Sequence, residues 1–232
     1  VAITVYWSCL EDDWIRAEEP EKVSKRFYEK KIKDDDYRTP LAVNHCPSFN
    51  GSLKNLYAVK SLYNYSFTIE NNSCFSEMHD QKFFDDHVSV RSMEKKFFSY
   101  LNKYIFFTDE KSLEMTAYEH PIFEENAITE RCMILPGKYD IGKWFRNLEL
   151  SFILKKDFNT FSVKNQDVMY YLRFHTKENI NFKQFVMTDK LQKMIDGHLL
   201  ANSQSKLGSL DSFYNIFKGK KYILKEINEN LL

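Results

Sequence analysis

A chain of 232 residues is long enough to bury a substantial core in one or two domains. Its 33 Lys+Arg match its 33 Asp+Glu, so no net charge draws it to a polyanion, and nucleic-acid binding is not expected. With 6 Gly and neither G-x-G-x-x-G nor a Walker A sequence, the usual nucleotide folds are excluded; 20 Phe and 14 Tyr point instead to an aromatic core that favours strands, or to aromatic contact surfaces.

Residues 2–9 alternate as a first strand, with Ile3, Val5 and Trp7 on one face. The start VAITVYWSCLEDDW has no basic n-region and no long apolar stretch, so it does not read as a secretory signal. No apolar run in the chain approaches the length that spans a bilayer. The charged run from Glu18 to Asp36 reads as a solvated helix or exposed excursion, anchored by Val23, Phe27, Tyr28 and Ile32. Residues 40–52 read as a strand entering a turn at Asn50-Gly51. Tyr63, Tyr65, Phe67 and Ile69 alternate strictly and predict a strand that ends at Asn71-Asn72.

Val88 and Val90 suggest another strand, and Phe97, Phe98 and Leu101 continue as strand or helix. Tyr104–Phe107 reads as a strand cut by Thr108-Asp109; Leu113, Met115 and Ala117 form the next alternating set, before a loop from Ile122 to Glu130. The clearest stretch is Arg131 to His175. A short apolar segment, Cys132–Leu135, precedes a turn signal at Pro136-Gly137. Leu148, Leu150, Phe152 and Leu154 then alternate. Phe161 and Val163, the turn KNQD, and Val168, Tyr170, Leu172 and Phe174 read as a central hairpin. After Thr188-Asp189 the spacing becomes helical, at Leu191, Met194, Ile195 and Leu199, and a second amphipathic helix is marked by Leu210, Phe213, Tyr214 and Phe217. The fold expected is mainly β: a β-sandwich or jelly-roll-like domain over residues 1–185, with a helical C-terminal extension over 186–232. The segment ending Leu231-Leu232 is expected to offer itself to a partner, because a chain end is free unless tied down.

No catalytic motif emerges. Trp144 and Arg146 are two residues apart, and an arginine beside a tryptophan can stack on the ring or hold a carboxylate or phosphate with two parallel bonds. Arg173 and His175 share the outward face of an alternating strand, where a covered guanidinium would need an acid. Trp144, Arg146, Arg173 and His175 are therefore the candidate ligand-binding residues. A metal-dependent jelly-roll enzyme is the alternative, with His79, His87 and His175 as ligands, although no H-x-H pair supports an iron site of two histidines and a carboxylate. His198 falls in the helical region, away from these. Cys9, Cys46, Cys74 and Cys132 form no C-x-x-C pair and read as reduced thiols. Cys46 reads as a small buried hydrophobe, since the adjacent His45 would face away from it; His175 or His120 are the other possible bases for a nucleophile at Cys46, and the sequence does not say whether Cys46 or Cys132 is reactive. No cofactor is expected.

The N-terminal tryptophan segment, then NHCPSFNGSLKN and YNYSFTI, then LPGKYDIGKWFRNLELSF and FSVKNQDVMYYLRFHT, together resemble a group of uncharacterised proteins encoded by large tailed bacteriophages, marine ones especially, and by some bacteria. The resemblance covers most of residues 5–185. It implies a double-sheet β fold distantly similar to the cupin-like jelly roll, with no established activity. The histidine pair and following glutamate of metal-binding cupins are missing here. A phage origin implies a structural or accessory role in the host cytoplasm or virion, as a homo-oligomer or in a larger protein assembly.

Overall fold

The computed structural model describes residues 2–25, 46–118, 127–204 and 219–232. Three sheets organise them. The largest has six strands. Its backbone runs β14 (Asn179–Gln184), β1 (Ala2–Cys9), β7 (Phe97–Thr108), β11 (Asn147–Leu154) and β9 (Cys132–Leu135), with β6 (Val88–Ser92) added to β7. The second has five, in the order β10 (Gly137–Asp140), β8 (Glu114–Tyr118), β13 (Val168–Phe174), β3 (Leu56–Lys60) and β2 (Glu21–Lys22). The third has three: β12 (Thr160–Val163), β4 (Tyr65–Glu70) and β5 (Ser73–Phe75).

Both smaller sheets lie on the inner face of the six-stranded one, and aromatic rings make the joints. Tyr57 of β3 meets Phe182 of β14 edge-on at 4.9 Å, and Phe174 of β13 meets Phe106 of β7 at 6.4 Å. At the other end Phe67 of β4 contacts Phe98 of β7 at 4.9 Å, and Phe161 of β12 contacts Phe152 of β11 at 5.7 Å. Edge-to-face rings of this kind place the positive ring edge on a negative ring face and add to the area they bury. The abundance of Phe and Tyr is thus largely a matter of core.

The period-two reading holds for β1, β4, β6, β8, β11 and β12, and in β13 from Tyr170 on, after a bulge that sends Met169 rather than Val168 into the main core. Val5, Trp7 and Cys9 enter the main core while Tyr6 faces the opposite side, as alternation demands. Asn71 and Asn72 take φ of 50° and 58°, the left-handed pair that a two-residue hairpin between β4 and β5 needs.

The chain is a mixed α/β fold, roughly sandwich-like, and no sheet closes into a jelly-roll barrel. Two features oppose closure. β1 pairs with β14 in parallel, whereas a jelly roll is antiparallel throughout. The KNQD turn also does not make a hairpin: β12 pairs with β4, β13 pairs with β3 and β8, and the turn carries the chain from one sheet to another. Asn165 anchors that crossing, its backbone N–H donating to Asn64 Oδ1 at 2.8 Å and its side-chain Nδ2 to Leu62 O at 2.6 Å.

Three short helices were not foreseen. α1 (Pro47–Ser52) replaces the expected Asn50-Gly51 turn, with Pro47 at its first position, where a missing N–H costs nothing. α2 (Gln81–His87) begins at Asp80, whose carboxylate accepts the Phe83 N–H at 2.7 Å. α3 (Ala127–Arg131) takes the end of the expected loop. Pro136-Gly137 makes no glycine turn, and Gly137 opens β10. β14 was also missed, although Ile180 and Phe182 alternate inward along it.

Helix α4 (Asp189–Gln204) follows the expected spacing, and α5 (Lys220–Glu229) follows later. Leu191 and Ile195 of α4, with Ile223 and Ile227 of α5, cover Tyr6, Ile105, Phe107, Phe145 and Phe185 on the outer face of the six-stranded sheet. Lys220 pins α5 down, donating to the carbonyls of Gly142 (2.8 Å) and Glu110 while its ammonium stands 5.5 Å from the Phe107 ring. The end of the chain is tied as well: Leu232 N–H donates to Gln184 O at 3.0 Å, and Phe185 and Leu231 form an isolated bridge. The premise of an untied end therefore fails, although Leu232 stays 69% exposed. The helix marked by Leu210, Phe213, Tyr214 and Phe217 lies outside the described residues, as do Phe27, Tyr28 and Ile32.

Candidate functional site

Trp144 and Arg146 do meet. Between β10 and β11 the chain turns about Asp140, whose carboxylate accepts from Ser112 Oγ (2.7 Å), Leu113 N (3.1 Å) and Gly142 N (3.0 Å) and pairs with Lys143 Nζ (3.1 Å). Burial alone would raise the pKa of Asp140, but the bonds from Ser112, Lys143, Leu113 and Gly142 prevail and hold it below the ordinary carboxylate value. Gly142 is needed where it stands, since a Cβ would come within 2.6 Å of Glu110 O and 2.9 Å of Ser112 Cα. Beyond the turn, Phe145 enters the helix-covered core and packs on Phe107 at 5.1 Å. Trp144 and Arg146, on either side of it in sequence, then come together, with the guanidinium carbon 5.2 Å from the indole centroid. Tyr139 presents its ring edge-on to Trp144 at 5.9 Å and donates its hydroxyl to Glu149 O at 3.0 Å.

His198 of α4 joins this cluster, although the sequence reading had set it apart with the helices. It is buried, and its pKa is pushed down to about 4, first by burial and then by the positive charge of Arg146. Arg146 itself has no ion pair among the described residues, and its Nε is buried without a hydrogen-bond acceptor. The sequence carried half of this signal in the W-F-R spacing. The other half needed the helix to fold back.

Arg173 and His175 occupy a different place, the outer face of the five-stranded sheet. Tyr171 beside them belongs to a separate small core with Val23, Leu53 and Leu56, so the alternation was read correctly. Arg173 Nη2 donates to the carbonyl of Ser52 at the end of α1. His175 is exposed, with Nε2 2.7 Å from Thr116 Oγ1. The four proposed ligand-binding residues therefore form two separate pairs.

His79, Phe83 and His87 stack on one side of α2, each histidine centroid 4.2 Å from the Phe83 ring at 21° and 25°. Two near-parallel imidazoles at that distance must take opposite faces of the phenyl ring, which separates them. Tyr63, Tyr65 and Tyr100 complete the nest, and the Tyr63 hydroxyl donates to Asp13. Burial and then Asp13 push the Tyr63 pKa up to about 12. His87 donates through Nδ1 to Phe83 O at 2.8 Å, and burial lowers its pKa, so the buried ring is neutral. His79 Nε2 contacts Asn64 O at 2.7 Å. His79, His87 and His175 thus do not converge on one point, and among the described residues no group of three or more His, Cys, Asp or Glu could hold a metal ion.

Cys9 and Cys132 are buried, whereas Cys46 is exposed, a correction that follows from its place just before α1 rather than within a strand. His45 and His120 lie outside the described residues.

One further surface stands out. Among the described residues, α4 and α5 cover only part of the outer face of the six-stranded sheet. Beyond them the register sets Phe97, Ile153 and Met133 in one row across β7, β11 and β9, and Ser99, Ser151 and Leu135 in the next. Met133 and Leu135 are 45% and 42% exposed. Arg91 lies along the edge of this strip, donating to Ser99 Oγ at 3.2 Å and pairing with Glu149. No family model and no curated protein matches the chain.

Proposed function

We propose that this is a phage-type structural or accessory protein that works through protein–protein contacts, and that a second copy of the chain is the first partner to test. The supporting observation is the row Phe97, Ile153 and Met133 with Leu135 beside it, an apolar strip on the part of the sheet that the helices leave uncovered. An exposed apolar patch rimmed by polar groups marks a contact site more often than chance. The Arg91–Glu149 pair supplies such a rim. A strip of this shape can face its own copy across a twofold axis, because apolar rows match apolar rows. The resemblance to phage-encoded proteins suggests the setting, host cytoplasm or virion. Among the described residues no helix is long and apolar enough to cross a membrane.

Light scattering at high micromolar concentration tests the reading. The natural chain is expected to run above monomer mass, and the double substitution Met133→Glu, Leu135→Glu is expected to return it to monomer with an unchanged melting temperature. A natural chain that stays monomeric, or a double variant that assembles as before, overturns it.

A further inference from the structure

Arg146 poses a question that self-assembly does not answer. A guanidinium is always charged, and a partly buried one is ordinarily matched by an acid or fully hydrogen-bonded. Here neither holds among the described residues: Nε is buried without an acceptor, and Arg146 makes no ion pair. The acids close by in the sequence are committed elsewhere, Asp140 to Lys143 and the turn it organises, Glu149 to Arg91. His198 brings no counter-charge, since its buried imidazole is neutral at neutral pH. The guanidinium carbon meanwhile lies over the Trp144 ring, 5.2 Å from its centroid, a cation–π contact that holds one side of the group. Such a group is held against one aromatic ring, with its charge unmatched among the described residues.

We propose that Arg146 binds the carboxylate of a small organic acid. Charge sets the stoichiometry: one guanidinium matches one carboxylate, and a dianion such as phosphate would leave a negative charge over. Geometry sets the class, because a planar carboxylate accepts two parallel N–H bonds from the planar fork. The rings of Trp144 and Tyr139, which meet edge-on at 5.9 Å, provide apolar surface for the body of the acid. The site is separate from the apolar strip of β7, β11 and β9, and it stands or falls independently of self-assembly.

The test is a titration of the full chain with benzoate, with acetate and with inorganic phosphate at constant ionic strength. Binding is followed by the Trp144 indole N–H resonance, identified with Trp144→Phe. A saturable shift is expected with benzoate at a dissociation constant on the order of 1 mM, weaker with acetate for want of an apolar body. Arg146→Lys, which keeps the charge but loses the fork, is expected to weaken benzoate at least tenfold, and Arg146→Gln to abolish the shift. Circular dichroism identifies variants that retain the fold, and the natural chain alone decides the first outcome. No saturable shift with benzoate, equal binding by phosphate, or undiminished binding in folded Arg146→Lys would each overturn the assignment.

Discussion

Two glycines show how far a single hydrogen atom matters. At Gly51 a Cβ meets nothing within 4 Å, and the residue sits in α1 with an ordinary negative φ. Gly51→Ala is therefore expected to be neutral or to stabilise by up to about 1 kcal/mol, the helix preference of alanine over glycine. At Gly142 the same methyl would strike two backbone atoms that cannot swing aside, so Gly142→Ala should destabilise by about 1–3 kcal/mol. Denaturant melts of the two variants side by side check both. The buried histidines give a pH signature. His87 and His198 are held neutral in the fold, so the unfolded chain, with imidazoles near 6.5, binds the extra protons. Their contribution is complete above about pH 6.5 and is lost as pH falls from there toward 4, before most carboxylates titrate. A flat melting temperature across that window would contradict it, and His198→Gln should reduce the slope. Of the cluster that His198 joins, the sequence showed only the Trp144–Arg146 pair. His198 could not be connected to it because helix spacing says which face is buried and not against what.

At the level of elements, strict alternation was a reliable guide and turn chemistry was mixed. Asn71-Asn72 did what the left-handed tolerance of asparagine predicts, whereas Asn50-Gly51 was overruled by Pro47 three residues earlier, which starts a helix through the same segment. α2 was hidden because its stacking residues His79, Phe83 and His87 recur every four positions among polar neighbours, and only Asp80 announced the start. Asp80→Ala is expected to cost about 1 kcal/mol through the lost cap, measured by urea melts. In β13, Leu172 is fully buried, and Leu172→Ala should cost about 2–5 kcal/mol in the same assay. Phe161, Val163, Tyr170, Leu172 and Phe174 do face the main core, but a bulge between Val168 and Tyr170 turns Val168 to the outer small core, and the hairpin does not exist. Burial follows from a local pattern, while the choice of partner strand depends on residues a hundred positions away, such as Asn64 against Asn165.

For the whole molecule, the division at residue 185 deserves a direct test, because the terminal helix shares a core with the sheet. Ile227 is fully buried among Tyr6, Ile105 and Phe185. If helix and sheet melt as one, Ile227→Ala lowers global stability by about 2–5 kcal/mol, with a single transition by both circular dichroism and tryptophan fluorescence. A loss below about 0.5 kcal/mol, or two separated transitions, would show the helix to be an appendage. The sandwich was legible from composition and period. Its failure to close was not, since the parallel pairing of β1 with β14 joins segments whose patterns are each compatible with an antiparallel sheet.

That pairing has a consequence for how the chain is made. During synthesis β7 reaches β1 soon after residue 108 emerges, but the other side of β1 waits for residues 179–184. Through that interval the nascent protein carries an open row of amide and carbonyl groups, on a strand with only one of its two neighbours in place, and such a row is a template for any passing extended segment. A ribosome that stalls between those points would release a product more sticky than either the unstructured chain or the finished one. Prompt elongation, or a chaperone that shields β1 until its last neighbour arrives, then becomes a condition for recovering the protein intact.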